Sequence, residues 1–346
     1  MTETKVLIIG GGPAGSVCGS LLLKAGIGCV VVDHAVFPRD KICGGGLSPK
    51  AWKLLEHLLP DVRYDYHAVK HLRLLLDGRQ CCEFDSEMEI RITKRRELDN
   101  TLLNYYLSKG GCFRKDSPAR IEELADGHIV VTMKSGEQVL CEYLIGADGS
   151  NSFVRRHLTG RSDKGIIAME QYMEGGAFDT TNDIVVGLSR QYDRGGYFFR
   201  MPNGTHDVVG FGDNSTTPAR FRQVMNDMQI PVGKIRGAYI YLSNDYPLHE
   251  HMILIGDAGG FANRLSCEGL YDAFKTAYHA VEAITENRRF SETNRDVFRK
   301  MKKEVIFSRL FVSAAGFFLL RLMCHFPNAV KWCFDTKMKR ESFFRG

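Results

Sequence analysis

The chain settles within six residues into an unbroken apolar run, Val6-Leu7-Ile8-Ile9, the pattern of a strand covered on both faces. Glycines follow, then residues 16–24 with helical character, then a second apolar run, Cys29-Val30-Val31-Val32, that stops at Asp33. Strand, helix and strand in that order predict a βαβ unit with parallel strands. Two later apolar strands run into Asp-bearing turns, Gly146-Ala147-Asp148-Gly149-Ser150 and Gly256-Asp257-Ala258-Gly259-Gly260. Elsewhere the period changes to two. Residues 69–85 alternate like a hairpin around Asp77-Gly78, runs at 184–188, 197–201, 208–211 and 238–242 read as strands, and 219–228 reads as a helix.

The pattern divides the chain into a nucleotide-binding domain of 1–64, 91–160 and 246–290, a β-sheet domain of 65–90 and 161–245, and a helical tail of 291–346. The expected fold is α/β, Rossmann-like, with the second sheet interleaved as a roof.

The glycines carry the first chemistry. In Gly10-Gly11-Gly12-Pro13-Ala14-Gly15, Gly10 allows the tight turn, Gly12 lets a phosphate approach the backbone, and Gly15 lets helix and strand pack closely. The helix N-terminus then offers bare N–H groups and a positive end to a pyrophosphate. Asp33 is the expected acid for the adenosine ribose hydroxyls. A GxGxxG alone also fits an ordinary turn, but with the two Asp-bearing turns the set reads as a cradle for flavin-adenine dinucleotide (FAD). Its contacts are hydrogen bonds and phosphate donors, and no His or Cys motif for covalent attachment is evident, so the FAD is expected to be non-covalent.

Composition narrows the class. With 346 residues, 44% of them apolar, the chain can bury a core and hold two domains. Its ten cysteines form no CxxC pair and no metal spacing, so reduced, packed thiols are expected and neither a disulfide framework nor a metal. The start enters a strand directly, which predicts a cytoplasmic protein without a secretory leader. Residues 301–346 hold nine Lys/Arg against three acids, within a net charge of only +5. The same tail contains the apolar stretch 310–320, then Trp332 and Phe334. Eleven residues are too few to span a bilayer, which needs about 20. A basic, aromatic-rich helical tail suits an anionic membrane surface, with a core helix bearing a solvated basic face as the equal alternative. No nucleic-acid partner is indicated.

Phe37-Pro38-Arg39-Asp40-Lys41-Ile42-Cys43-Gly44-Gly45-Gly46-Leu47 resembles the signature of the geranylgeranyl reductase family, among the glutathione-reductase-fold flavoproteins related to p-hydroxybenzoate hydroxylase. Further parts follow in family order: Arg96-Glu97-Leu98-Asp99, Ser117-Pro118-Ala119, residues 146–155, Tyr197-Phe198-Phe199-Arg200-Met201-Pro202, and residues 256–270. The resemblance implies a cofactor shell of Gly10, Gly12, Ala14, Gly15, Asp33, Arg39, Gly44, Gly45, Arg96, Ala119, Asp148, Asp257, Gly269 and Leu270. Backbone donors of Gly269 and Leu270 are expected at the pyrimidine end of the ring, with Arg155 bracing the Asp148 loop.

The family pattern YxWxFP, followed by GxG, stands here as Tyr197, Phe199, Met201 and Pro202, then Gly210-Phe211-Gly212. Neither Trp of the halogenase pattern WxWxIP is present. Arg264 replaces a usual Pro and Cys267 a usual Gly, so Phe199, Met201, Pro202 and Arg264 are expected to shape the substrate pocket.

The resemblance implies hydride transfer through flavin N5 to a C=C bond of an isoprenoid or other apolar substrate, the organic mechanism belonging to the cofactor. Such an alkene also needs a proton. Cys43, between Lys41 and three glycines, is the first candidate acid, with Cys267 and Tyr197 behind it; no histidine set stands out. No second dinucleotide unit follows, so NAD(P)H or a reduced electron-carrier protein is expected as a transient donor. The alternative is an FAD-dependent monooxygenase of an aromatic or polyketide substrate, favoured by Phe199, Arg264 and Cys267.

Overall fold

The computed structural model describes residues 1–160, 165–174, 182–192, 196–243, 245–311 and 313–342. The apolar strand Thr2–Ile9 lies beside Cys29–Asp33 on one edge and Gln138–Gly146 on the other, all parallel. Cys112–Lys115 extends the sheet beyond Cys29–Asp33, and Met252–Leu254 joins the far half of Gln138–Gly146. An antiparallel pair, Ile129–Met133 and Pro118–Glu123, completes seven strands. Because both faces are covered, the central strands carry Val, Ile and Leu at consecutive positions, and Val6, Leu7, Ile8 and Val31 are wholly buried. Helices Pro13–Lys24, Arg95–Ser108 and Leu270–Thr285 share the core on one face.

The second sheet runs Arg236–Tyr241, Gly165–Glu174, His206–Asp213, Tyr197–Pro202, Asp183–Leu188, His67–Leu76, Arg79–Ile92 and Gly46–Leu47. The hairpin turns at Asp77 and Gly78, both in the left-handed region, and its strands run longer than the sequence pattern indicated. Gly165–Glu174, which sequence reading did not identify as a strand, sits between Arg236–Tyr241 and His206–Asp213. A buried ion cluster ties this sheet together, Asp183 accepting from Arg200 at 2.7 Å and forming an ion pair with Arg73 at 2.9 Å.

The tail folds as helices Arg295–Phe311, Ala314–Cys324 and Pro327–Ser342. The 310–320 stretch is therefore divided, Ser313 capping the second helix through Gly316 N–H. Among the described residues no single helix is long and apolar enough to cross a membrane. One cysteine expectation is corrected: Cys81 and Cys324 form a disulfide, binding the tail to the hairpin. The two residues stand 243 positions apart, so only the tertiary fold brings them together.

Candidate functional site

A cavity of about 1460 Å³ lies between the two sheets and is reached by the last tail helix through Phe334, Lys337 and Met338. Its floor is the glycine turn. Gly10 has φ +112°, and a Cβ there would stand 2.3 Å from the Ala147 carbonyl oxygen. A Cβ on Gly15 would meet the Gly10 oxygen at 1.9 Å, so Gly15 supports the turn from behind without lining the cavity. Gly12 caps the first helix with no side chain, and a Cβ there would find only Arg39 Nη2, at 3.3 Å. Asp33, which also lines the cavity, takes the Gly11 N–H at 2.7 Å and the Ala35 N–H at 2.8 Å, fixing its carboxylate at the end of the second strand.

The other two turns close the same space. Asp148 Oδ2 accepts the Phe153 N–H at 2.6 Å, while its Oδ1 and the Ser150 hydroxyl are buried without partners and line the cavity. Burial pushes the Asp148 carboxyl up. Arg155 braces the loop as expected, donating to Ser150 O at 2.6 Å and to Ala258 O at 2.8 Å, its guanidinium 3.6 Å from the Tyr241 ring centroid. Asp257, Gly269 and Leu270 line the cavity where helix Leu270–Thr285 begins without a side-chain cap. Open glycine turns, orphaned polar atoms and two uncapped helix starts fit the pyrophosphate, ribityl chain and ring of FAD.

The far end is thiol and aromatic. Cys43, Gly44, Gly45, Tyr197, Phe199, Met201 and Cys267 all line it, as do Ala14, Arg39 and Ala119 elsewhere in the cavity. A Cβ on Gly44 would lie 2.7 Å from Met201 Sδ, and one on Gly45 2.0 Å from Thr93 O, so these glycines admit close contact with the roof. Gly45 N–H points at Cys43 Sγ, 3.4 Å away. Tyr197 donates its hydroxyl proton to Ser266 O at 2.5 Å. Its neighbour Cys267 is pushed up to about 12 by burial, and Tyr197 is driven up for the same reason, so both hold their protons at neutral pH.

Three expectations need correction. Arg96 does not line the cavity; it is exposed and pairs with Asp40 at 3.1 Å. The arginine of this helix that does line it is Arg95, which holds the fully buried Asp99 through two bonds, at 2.8 and 3.0 Å, and sits against Cys43. Positions four apart share a helix face, so a buried Asp99 turns Arg95 inward and Arg96 outward. Arg39 also reaches Asp99, at 3.2 Å. Arg264 points out of the cavity, its guanidinium bonded to Ser243 O. Pro202, at the end of its strand, lies outside the lining as well.

Of the lining residues that sequence reading missed, two are charged and almost fully buried. Lys50 is 3% exposed, pairs with Glu268 at 3.1 Å and stands over the Tyr271 ring. Glu170, 2% exposed, projects from the strand at Gly165–Glu174. The Asp99 spacing could have exposed Arg95; nothing in the local sequence marks Glu170.

The fold and cavity define a flavoprotein oxidoreductase. A family model described as "FAD binding domain" matches residues 3–204. The chain is 31% identical over 331 residues to a menaquinone reductase of Mycobacterium tuberculosis, covering 81% of this chain and 76% of that one. It is 24% identical over 310 residues to a geranylgeranyl diphosphate reductase of Synechocystis, covering 81% and 75%. Among solved structures, PqsL of Pseudomonas aeruginosa in complex with 2-aminobenzoylacetate superposes with TM-score 0.73 at 16% identity, covering 96% of this chain and all of that one. The chain belongs to the FAD-binding-domain oxidoreductases, in the geranylgeranyl reductase family.

Proposed function

We propose that this enzyme saturates C=C bonds of an isoprenoid or isoprenoid-tailed quinone, and that Cys43 supplies the proton. The observation carrying the reading is the make-up of the ring end, where apolar Phe199 and Met201 face the glycines of the Cys43 segment. Relatives named for menaquinone and geranylgeranyl diphosphate support the substrate class. The bound flavin supplies the hydride. Asp148, Asp257, Asp33, Arg39 and the glycine turn hold that cofactor; Phe199 and Met201 exclude water and orient the chain of the substrate. Cys43 gives its proton to the carbon opposite the hydride, with the Tyr197–Cys267 pair protonated alongside. The electron donor, NAD(P)H or a carrier protein, visits transiently.

The tail is proposed to rest on an anionic lipid surface. Ile306, Phe318 and Trp332 are each about two-thirds exposed or more, in a segment rich in Lys and Arg. A lipid-borne substrate would enter beside Phe334 and Met338, where the tail lines the cavity.

The monooxygenase reading keeps the support of the fold shared with PqsL, but with Arg264 outside the cavity it loses one of its residue arguments. Incubating the reduced protein with geranylgeranyl diphosphate or menaquinone under nitrogen separates the two. A product heavier by two hydrogens per alkene supports the reductase. Product only after admission of air, heavier by oxygen, sinks it.

A further inference from the structure

Resting on the reductase reading, we propose that Glu170 is the proton relay of the cavity, the buried acid that returns a proton to Cys43 after each reduction. Register fixes its position. Glu170 lies opposite Gly210 on one neighbouring strand and Arg236 on the other, and the Phe199 ring fills the space over Gly210 on the cavity side. Glu170 and Cys43 line the same cavity, and the Cys43 backbone lies close enough to favour the ionised carboxylate. Its Oε1 is buried, faces the cavity lining and has no hydrogen-bond partner. A carboxylate oxygen left bare at 2% exposure is costly; a carboxylic acid there is not.

The surrounding charges do not overturn this. From the Cys43 segment Lys41 favours the ionised form, as does Arg236 from the adjoining strand and the Tyr172 hydroxyl from its own. Arg236 is drawn aside over the Tyr172 ring, 4.7 Å from its centroid. Desolvation outweighs all of them and pushes Glu170 up to about 7, so it can both give and regain a proton near neutral pH.

The steps balance. When Cys43 protonates the alkene, its S–H bond breaks and a C–H bond forms, leaving a thiolate. The Glu170 O–H bond then breaks as the S–H bond is remade, and the carboxylate takes its next proton from water. The hydride comes from the reduced flavin of the proposed reaction.

The test uses the FAD-loaded full chain and its Glu170→Gln, Glu170→Asp and Cys43→Ser variants. Under nitrogen with geranylgeranyl diphosphate, Glu170→Gln should form about one product per site at near wild-type rate and then slow by roughly 10²-fold or more, the scale of one acid-base group. Cys43→Ser should lose the first turnover too, and Glu170→Asp should recover part of the steady rate. The wild-type steady rate should fall as pH rises through about 7, and that limb should vanish in Glu170→Gln. A substrate-free arm follows Cys43 alkylation by iodoacetamide at pH 8, mapped by mass spectrometry. Removing the neighbouring carboxylate should speed it several-fold. Equal alkylation in wild type and Glu170→Gln, or an unchanged steady rate and pH profile, overturns the relay while leaving the reductase intact. If wild type reduces no alkene, the reductase reading fails, and the relay with it, whatever the alkylation shows about the carboxylate.

Discussion

The two sheets that enclose the cavity are built on different principles. The floor is specified by backbone: Gly10 and Gly15 each stand where a Cβ would lie within 2.3 Å of a carbonyl oxygen. The roof is specified by side chains arriving from separate strands, with Phe199 and Met201 from Tyr197–Pro202 and Glu170 from Gly165–Glu174. A backbone cradle tolerates almost no substitution and holds one kind of ligand, whereas a side-chain roof can be rebuilt position by position. The chain shares its fold with PqsL at only 16% identity, as a fold whose side chains can be rebuilt allows.

The largest effect should come from the floor. Gly12→Val places a side chain into the open space beside the first helix, where only Arg39 is near, and should abolish FAD binding while the fold persists. Flavin absorbance per protein after gel filtration, with far-UV circular dichroism as the folding control, measures it. Full flavin occupancy in that variant would break the contrast, because the floor would then tolerate side chains as the roof does.

This contrast also governs what the sequence could reveal. Glycine turns are local, and each of the three follows a strand that the apolar pattern marks, so the floor was legible down to Gly12, Asp148 and Asp257. Arg95 was misassigned by one residue because the deciding fact, the burial of Asp99, depends on packing against Arg39 and the Cys43 segment. Glu170 and the Cys81–Cys324 pair were invisible, for each acquires its meaning only when distant segments meet. Arg264 misled for the opposite reason: its sequence neighbours line the cavity, but its side chain turns to Ser243.

A roof residue should report through pH instead of cofactor loss. Glu170 titrates at about 7 in the folded protein against an ordinary 4.5, so the folded state holds its proton where the unfolded chain has released it. Stability from this group is full below about pH 4.5 and declines as pH rises to about 7, by on the order of 3 kcal/mol. Glu170→Gln should flatten that decline in urea titrations at pH 5 and pH 8. An identical decline in both proteins would mean that the carboxylate is better solvated than its burial indicates.

The tail extends the roof's logic to a surface. Phe318 and Leu322 lie one turn apart and outward, while Phe317 and Leu320 pack near the disulfide. Phe318→Glu and Leu322→Glu should each weaken sedimentation with anionic liposomes by about 2 kcal/mol, the scale of one apolar side chain leaving water, with FAD content unchanged. Raising the salt should release the wild type as well, since attraction to anionic lipid is screened over a Debye length. Liposome binding that ignores both changes would return the tail to ordinary helical packing.

The smallest effect belongs to Cys267, which carries a side chain where the floor's rule calls for glycine. Cys267 has φ +51°, in the left-handed region where a Cβ costs about 1 kcal/mol or more and where the family resemblance places glycine. Cys267→Gly should therefore be more stable than Cys267→Ala by about 1 kcal/mol, less the greater chain entropy that glycine loses on folding. Thermal unfolding of the two FAD-loaded variants gives that difference. Activity decides what the strain is for: if Cys267→Gly gains stability and keeps its reduction rate, the thiol is a packing residue beside Tyr197. If it gains stability and loses rate, the strained backbone is retained for the thiol, since strain that persists at a site is held there by what the site does.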